Sequence, residues 1–182
     1  SLCRERGVLL IIDEVQTGFC RTGKWFGFEH AGIQPDAVTF AKGMGNGMPV
    51  GALWARKDIA SVLQPGDHGS TYSGTALATA AVNAVISEMK RLNAPELAVR
   101  QGDRLSKGLS SISKIDHVRG SGLLLGAQLK DGIVAGDVYK DLLESGLIVN
   151  AVNATTLRFA PPLTVSDAEI DEAVAMVKVV LK

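Results

Sequence analysis

Apolar positions fall in three rhythms along this chain, and each rhythm predicts a different kind of element. Short apolar-rich runs come first: the continuous "VLLII" (8–12), closed by Asp13 and Glu14, then "DAVTFA" (36–41) and "VGALWA" (50–55). Runs of that length without polar alternation suit strands covered on both faces, so they predict a mostly parallel sheet flanked by helices. The rhythm then changes to a helical one, because "ALATAAVNAVISEMKRL" carries apolar residues at 77, 81, 85, 89 and 92. "NAP" interrupts it. Asn93 suits an N-cap and Pro95 a first turn, opening a second helix with Leu97, Leu105, Leu109 and Ile112 on its inner side.

The passage between those helices is the expected domain boundary, with residues 1–92 in one domain and 93–182 in another. Beyond it the periods shorten. "HVRGSGLLLGAQL" (117–129) reads as one strand bent at its glycines, "VYKDLLESG" as a helix stopped by Gly146, and "TTLRFA" (155–160) as a further strand. "SDAE" (166–169) is a capping-box pattern, after which Ile170, Ala173, Val174, Val177 and Leu181 mark the inner face of a terminal helix. Strands and helices interleave irregularly here, which predicts an α+β domain with a small sheet.

Composition narrows the function. Nineteen basic residues balance nineteen acidic ones, so no net field draws nucleic acid or an anionic membrane. No apolar stretch reaches the length of a membrane span. Cys3 and Cys20 form no C-x-x-C pair and only three histidines are scattered along the chain, so no metal site is expected and reduced thiols in a cytoplasmic compartment fit best. The first residues, "SLCRERGVLL", pass from a polar helical end straight into a strand without an initiator methionine. The expectation is a chain whose beginning is missing, so an organellar targeting peptide is left open.

The chemistry is concentrated in "TFAKGMGNGMPVGA" (39–52), where Lys42 follows an apolar run and is trailed by glycines at 43, 45, 47 and 51. A lysine at a strand end is commonly a solvated charge. In open parallel sheets, however, ligands bind beyond the carboxyl ends of the strands, and Asp13 and Lys42 are the first polar groups past two such ends. A carboxylate and a single amine sharing one crevice meet the needs of pyridoxal 5'-phosphate (PLP), whose aldehyde condenses with a lysine and whose ring nitrogen pairs with an acid. Glycines beside the lysine leave space for its side chain to swing.

Four segments, "LLIIDEVQTGFCRTG", "TFAKGMGNGMPVGA", "HGSTYSGTAL" and "LRFAPPLTV", occur in an order and spacing that resembles the class III, fold-type I aminotransferases, most closely the acetylornithine aminotransferases. The resemblance covers essentially the whole chain and places it in the C-terminal half of that family's length. It implies part of the mostly parallel large-domain sheet of the PLP-dependent transferase fold type I, followed by the α+β small domain. It also implies roles. Lys42 binds the cofactor and acts as acid and base, Asp13 holds the ring nitrogen, and Gln16 reaches the phenolic oxygen. Thr71 meets the phosphate of a cofactor in the neighbouring subunit of a homodimer, and Arg158 grips a substrate carboxylate.

The substrates implied are N-acetylornithine, or a close ω-amine, as donor and 2-oxoglutarate as acceptor, in arginine biosynthesis. Such a segment alone is expected not to turn over efficiently. The residues keep structural alternatives: a cap for Asp13, a surface amide for Gln16, a turn for Thr71, an ion pair for Arg158. Glu14 and Arg21 are read as structural, as are Trp25, Phe26, Phe28, Tyr72, Met44 and Met48. "TYSGTAL" departs from the glycine-asparagine-proline common in relatives after the tyrosine, which bears on the local loop. Two other classes compete: a P-loop ATPase, since "LLIIDE" fits a Walker-B pattern although no G-x-x-x-x-G-K-[ST] is present, and a non-catalytic binding piece.

Overall fold

In the computed structural model, which describes residues 2–67 and 69–182, the run leading to Lys42 is the central strand of a three-stranded sheet. His68, the first residue of "HGSTYSGTAL", lies outside the described residues, as does Ser1. The chain divides into two units: residues 1–20 with 24–93, and residues 21–23 with 94–182.

In the first unit a short helix α1 (Leu2–Glu5) precedes β1 (Ile11–Asp13), which pairs in parallel with β2 (Ala37–Phe40), setting Ile11 opposite Ala37 and Asp13 opposite Thr39. β3 (Ala52–Ala55) runs antiparallel to β2, so the sheet is mixed. The reason is the connection. Residues 41–51 are too few for the helical crossover a parallel partner needs, so the chain turns straight back. β1 is an edge strand of this sheet, and Val8, Leu9 and Ile11 of "VLLII" are exposed.

Three phenylalanines pack beside this sheet. Phe19 meets Phe26 and Phe40 edge-on with ring centres 5.9 and 5.8 Å apart, and Phe28 stacks on Phe26 at 5.5 Å. A one-turn helix α2 (Lys57–Ala60) leads towards α3 (Ala76–Arg91), whose N-terminus is capped by the Thr75 hydroxyl accepting from the Ala78 amide. α3 buries Ala78 and Met89, and Leu77 at the start of the expected stripe is exposed. Asn93 is not an N-cap. It sits at φ +48° and its amide donates to the Lys90 carbonyl, closing α3 as the left-handed residue that asparagine tolerates better than most.

The second unit opens with α4 (Ala94–Ser110) and continues through β4 (Ile115–Ser121), β5 (Leu124–Leu129), α5 (Ala135–Glu144), β6 (Asn150–Asn153), β7 (Thr156–Phe159) and α6 (Asp167–Val180). Its sheet has the order β4-β5-β7-β6 with every pair antiparallel. The segment 117–129, expected as one bent strand, is a hairpin turning at Gly122 and Leu123, with Gly120 at φ +129° and Gly122 at φ +53°. β5 alternates strictly between half-buried and buried positions, and Leu125, Ala127 and Leu129 join Leu105, Leu109, Leu142, Leu157, Ile170 and Val177 in one core. α5 ends in a Schellman motif, where the Gly146 amide donates to Leu143 and the Leu147 amide to Leu142.

The capping box at α6 is formed as the sequence predicts. The Ser166 hydroxyl accepts from the Glu169 amide at 3.3 Å, and the Glu169 carboxylate accepts from the Ser166 amide at 2.7 Å. Ser166→Ala is expected to lower the unfolding free energy by about 1 kcal/mol, measured by denaturant titration. An unchanged midpoint would show that Glu169 alone satisfies this helix end.

Candidate active site

β2 delivers Lys42 by ending at Phe40, after which a single 3-10 turn (Lys42–Met44) carries the chain away. Lys42 holds φ +44°, a left-handed conformation that costs any residue with a Cβ energy, and its carbonyl accepts from the amides of Gly45 and Asn46. One glycine of the loop is sterically required: a Cβ on Gly45 would lie 2.3 Å from the Met48 carbonyl oxygen. Gly47 is needed instead for its φ of +107°. Gly43 and Gly51 would meet only ordinary contacts. The tight return is thus the work of Gly45 and Gly47.

Around the lysine stand two of the residues expected from the sequence. The Lys42 Nζ donates to Gln16 Oε1 at 2.8 Å. Asp13 closes the neighbouring parallel strand, and its Oδ1 accepts from the Val15 amide at 2.9 Å and from the Thr39 hydroxyl at 3.0 Å. Those two hydrogen bonds, the Val15 amide foremost, outweigh slight desolvation and hold the Asp13 carboxyl below the usual carboxylate range, with the Lys42 charge adding to them. A carboxyl depressed in the folded state contributes stability above pH of about 4 and loses it as pH falls through the folded value, so Asp13 is an anion at neutral pH.

Thr71 lies in an exposed turn, where the Ser73 amide and hydroxyl both donate to the Ser70 carbonyl. Arg158 projects from β7 in the second unit, opposite Gly126 of β5 and Asn150 of β6. It is exposed, and among the described residues its side chain makes no hydrogen bond or ion pair.

Glu14 and Arg21, adjacent to these groups in sequence, have clear structural duties. Glu14 is 1% exposed and accepts from the Thr17 hydroxyl and from the amides of Gly27 and Phe28 at 2.6, 2.9 and 2.8 Å. Three donors on a buried carboxylate tie Glu14 to the backbone of residues 27 and 28, which is a structural duty. Arg21 donates to the carbonyls of Leu123 and Pro161, and burial pulls its ionisation below that of a free guanidinium. Nearby Cys20 is fully buried, which pushes its thiol up to about 11 and leaves it protonated, with Glu29 adding.

One polar side chain beside Asp13 escaped the sequence reading. Thr39 was visible only as a strand residue, and the signal that could have singled it out is its place opposite Asp13 once the two runs are paired in parallel.

The Aminotransferase class-III family profile matches residues 1–181. Among curated relatives, the acetylornithine aminotransferase of Listeria monocytogenes is 43% identical over 185 residues, covering 100% of this chain and 47% of the relative. The chain spans about half the length of the curated relatives it matches. The acetylornithine aminotransferase of Elizabethkingia anophelis superposes with TM-score 0.88 at 33% identity, over 99% of this chain and 47% of that one. The ornithine aminotransferase of Toxoplasma gondii crystallised with oxidised glutathione, a structure with partial occupancy of PLP at its active site, superposes with TM-score 0.90 at 34% identity, over 99% of this chain and 44% of that one. The fold is therefore part of the fold-type I arrangement that the motifs imply. With the profile running along all but the last residue, the chain belongs to the class-III aminotransferases.

Proposed function

We propose that this chain carries the lysine-bearing part of a PLP-dependent aminotransferase that moves the terminal amino group of N-acetylornithine, or a close ω-amine, to 2-oxoglutarate, as arginine biosynthesis requires. The observation that carries this reading is the trio Asp13, Gln16 and Lys42: an anionic carboxylate and an amine at the ends of neighbouring parallel strands, with an amide hydrogen-bonded to the amine. The donor set fits PLP, with an acid for the ring nitrogen, an amine for the aldehyde, and an amide N–H for the phenolic oxygen. PLP, when bound, supplies an electrophilic carbonyl and a ring that accepts electron density.

The residues of the chain do the rest. Asp13 stays ionised at neutral pH and holds a proton on the ring nitrogen. Lys42 would hold the cofactor through its amine, and its side chain is placed to move a proton at the substrate carbon. Gln16 donates through Nε2 without adding charge, because Oε1 is the atom that meets Lys42. Thr71 is assigned the phosphate of a cofactor in the neighbouring subunit, which makes the working form a homodimer. A cytoplasmic location accompanies this reading, and among the described residues no helix is long and apolar enough to cross a membrane.

Arg158 is assigned the substrate carboxylate, since its side chain is exposed and spends no donor among the described residues. Arg158→Lys is expected to raise the KM for 2-oxoglutarate about tenfold with little effect on the cofactor spectrum, because an ammonium cannot reproduce a planar two-bond fork. A lost cofactor spectrum with unchanged KM would make Arg158 a structural residue.

The direct test adds PLP to the purified chain, follows the visible band, reduces with borohydride and maps the modified peptide. Modification confined to Lys42 is the expected result. Modification spread over surface lysines, or no visible band, would overturn the assignment.

A further inference from the structure

We propose that Thr39 is a positioning residue for the proposed cofactor acid: by donating its hydroxyl to Asp13 Oδ1, it fixes the carboxylate so that Oδ2 is presented to the ring nitrogen. The inference rests on the reading above and adds to it a residue with no assigned part in the chemistry.

The geometry begins with the strand register. Parallel pairing sets Thr39 directly opposite Asp13, and the Glu14 amide, donating to the Thr39 carbonyl at 3.0 Å, locks that register one residue further on. The Thr39 hydroxyl then donates to Asp13 Oδ1 at 3.0 Å. The Val15 amide donates to the same oxygen at 2.9 Å, closing a local turn of the kind aspartate makes with the amide two residues ahead. Oδ2 is left without a hydrogen-bond partner among the described residues.

Two donors on one oxygen do something one cannot. With Val15 alone, rotation of the carboxylate would let either oxygen take the amide, and the free oxygen would have no fixed direction. The second donor comes from the neighbouring strand, on a β-branched side chain with few rotamers, and so removes that freedom. Both donors also favour the ionised form, and the Lys42 charge adds to them. Since β2 carries Thr39 and leads into Lys42 three residues later, one short strand sets both the direction of the acid and the position of the amine.

The test compares Thr39→Val, which keeps the shape and removes the donor, with Thr39→Ser, which keeps the donor. Two quantities are read on the purified chain: the Asp13 titration midpoint by carbon-detected NMR of the side-chain carboxyl, and the dissociation of PLP followed by its visible band. The valine variant is expected to raise the Asp13 midpoint by about half a unit to one unit and to weaken PLP retention about tenfold, and serine is expected to restore both. Borohydride labelling of Lys42 at saturating PLP should be equal in all three proteins, since the amine is untouched.

Equal midpoints and equal PLP retention in the wild type and the valine variant, with matching melting curves, would overturn the proposal. So would serine behaving like valine, which would make the methyl group, through packing, the part that matters. If the wild-type chain takes up no PLP at Lys42, the functional reading fails by itself. The Asp13 midpoints still decide whether Thr39 holds the carboxylate.

Discussion

Lys42→Ala is expected to reduce amino-group transfer by at least about three orders of magnitude, the scale of removing a nucleophile that is also the general acid and base. The measurement is glutamate formation from N-acetylornithine and 2-oxoglutarate, in a polypeptide of the relatives' full length. Lys42→Arg keeps the positive charge near Asp13 and Gln16 but lacks the nucleophile, so it should be as inactive as alanine. If arginine rescued the rate, Lys42 would be a solvated charge, the ordinary role of a lysine at a strand end. The position also carries a stability signature. Because Lys42 sits at φ +44°, Lys42→Gly is expected to raise the unfolding free energy by about 1 kcal/mol while abolishing activity. A gain of stability with a loss of function separates strain kept for chemistry from an unremarkable surface position.

How much of this was legible beforehand depended on whether the signal was local. The Ser166 capping box and the Gly146 helix stop are written in a few adjacent residues, and both are formed as read. What failed needed knowledge of neighbours. "HVRGSGLLLGAQL" holds glycines able either to bend a strand or to turn it back, and composition does not choose between the two. β6, "NAVN", is short, polar-ended and mostly exposed, so it gave no apolar signal at all. Asn93 has the identity of an N-cap but takes the left-handed conformation that ends the preceding helix.

The candidate site divides in the same way. Asp13, Gln16 and Lys42 were legible because each belongs to a dense motif, and the structure brings Gln16 and Lys42 into hydrogen bonding. Thr39 was not, since its role exists only across a strand pair. Glu14 and Arg21 lie inside the same motif as Asp13 and Gln16 but serve the fold, Glu14 by ordering Gly27 and Phe28 and Arg21 by holding two backbone carbonyls of the second unit. Motif membership therefore marks residues the arrangement needs without saying which of them touch the chemistry.

Gly102→Ala is expected to destabilise the second unit by about 3 kcal/mol, the upper part of the range for overpacking, although helix propensity alone favours alanine by about 1 kcal/mol. Gly102 lies inside α4, and a Cβ there would fall 2.1 Å from the Gly122 carbonyl oxygen and 2.9 Å from the Gly122 Cα. The obstacle is backbone, and that backbone is itself fixed. Gly122 sits at φ +53° in the hairpin turn, and a Cβ on it would come within 2.6 to 2.8 Å of the main chain of Arg21, Thr22 and Gly23. With neither side able to yield, packing outweighs propensity. Two other helical glycines serve as controls. At Gly108 the added methyl would meet Val174 Cγ2 at 2.6 Å, a side-chain atom that can move, so the cost should be smaller. At Gly136, near the start of α5, nothing lies within 4 Å, and alanine should stabilise by about 0.5 kcal/mol or more. Denaturant unfolding of the three variants should therefore rank Gly136→Ala above wild type, Gly108→Ala below it and Gly102→Ala lowest. A Gly102→Ala protein as stable as Gly136→Ala would mean that α4 and the hairpin turn are not in backbone contact, and that the antiparallel sheet behind Arg158 is supported in some other way.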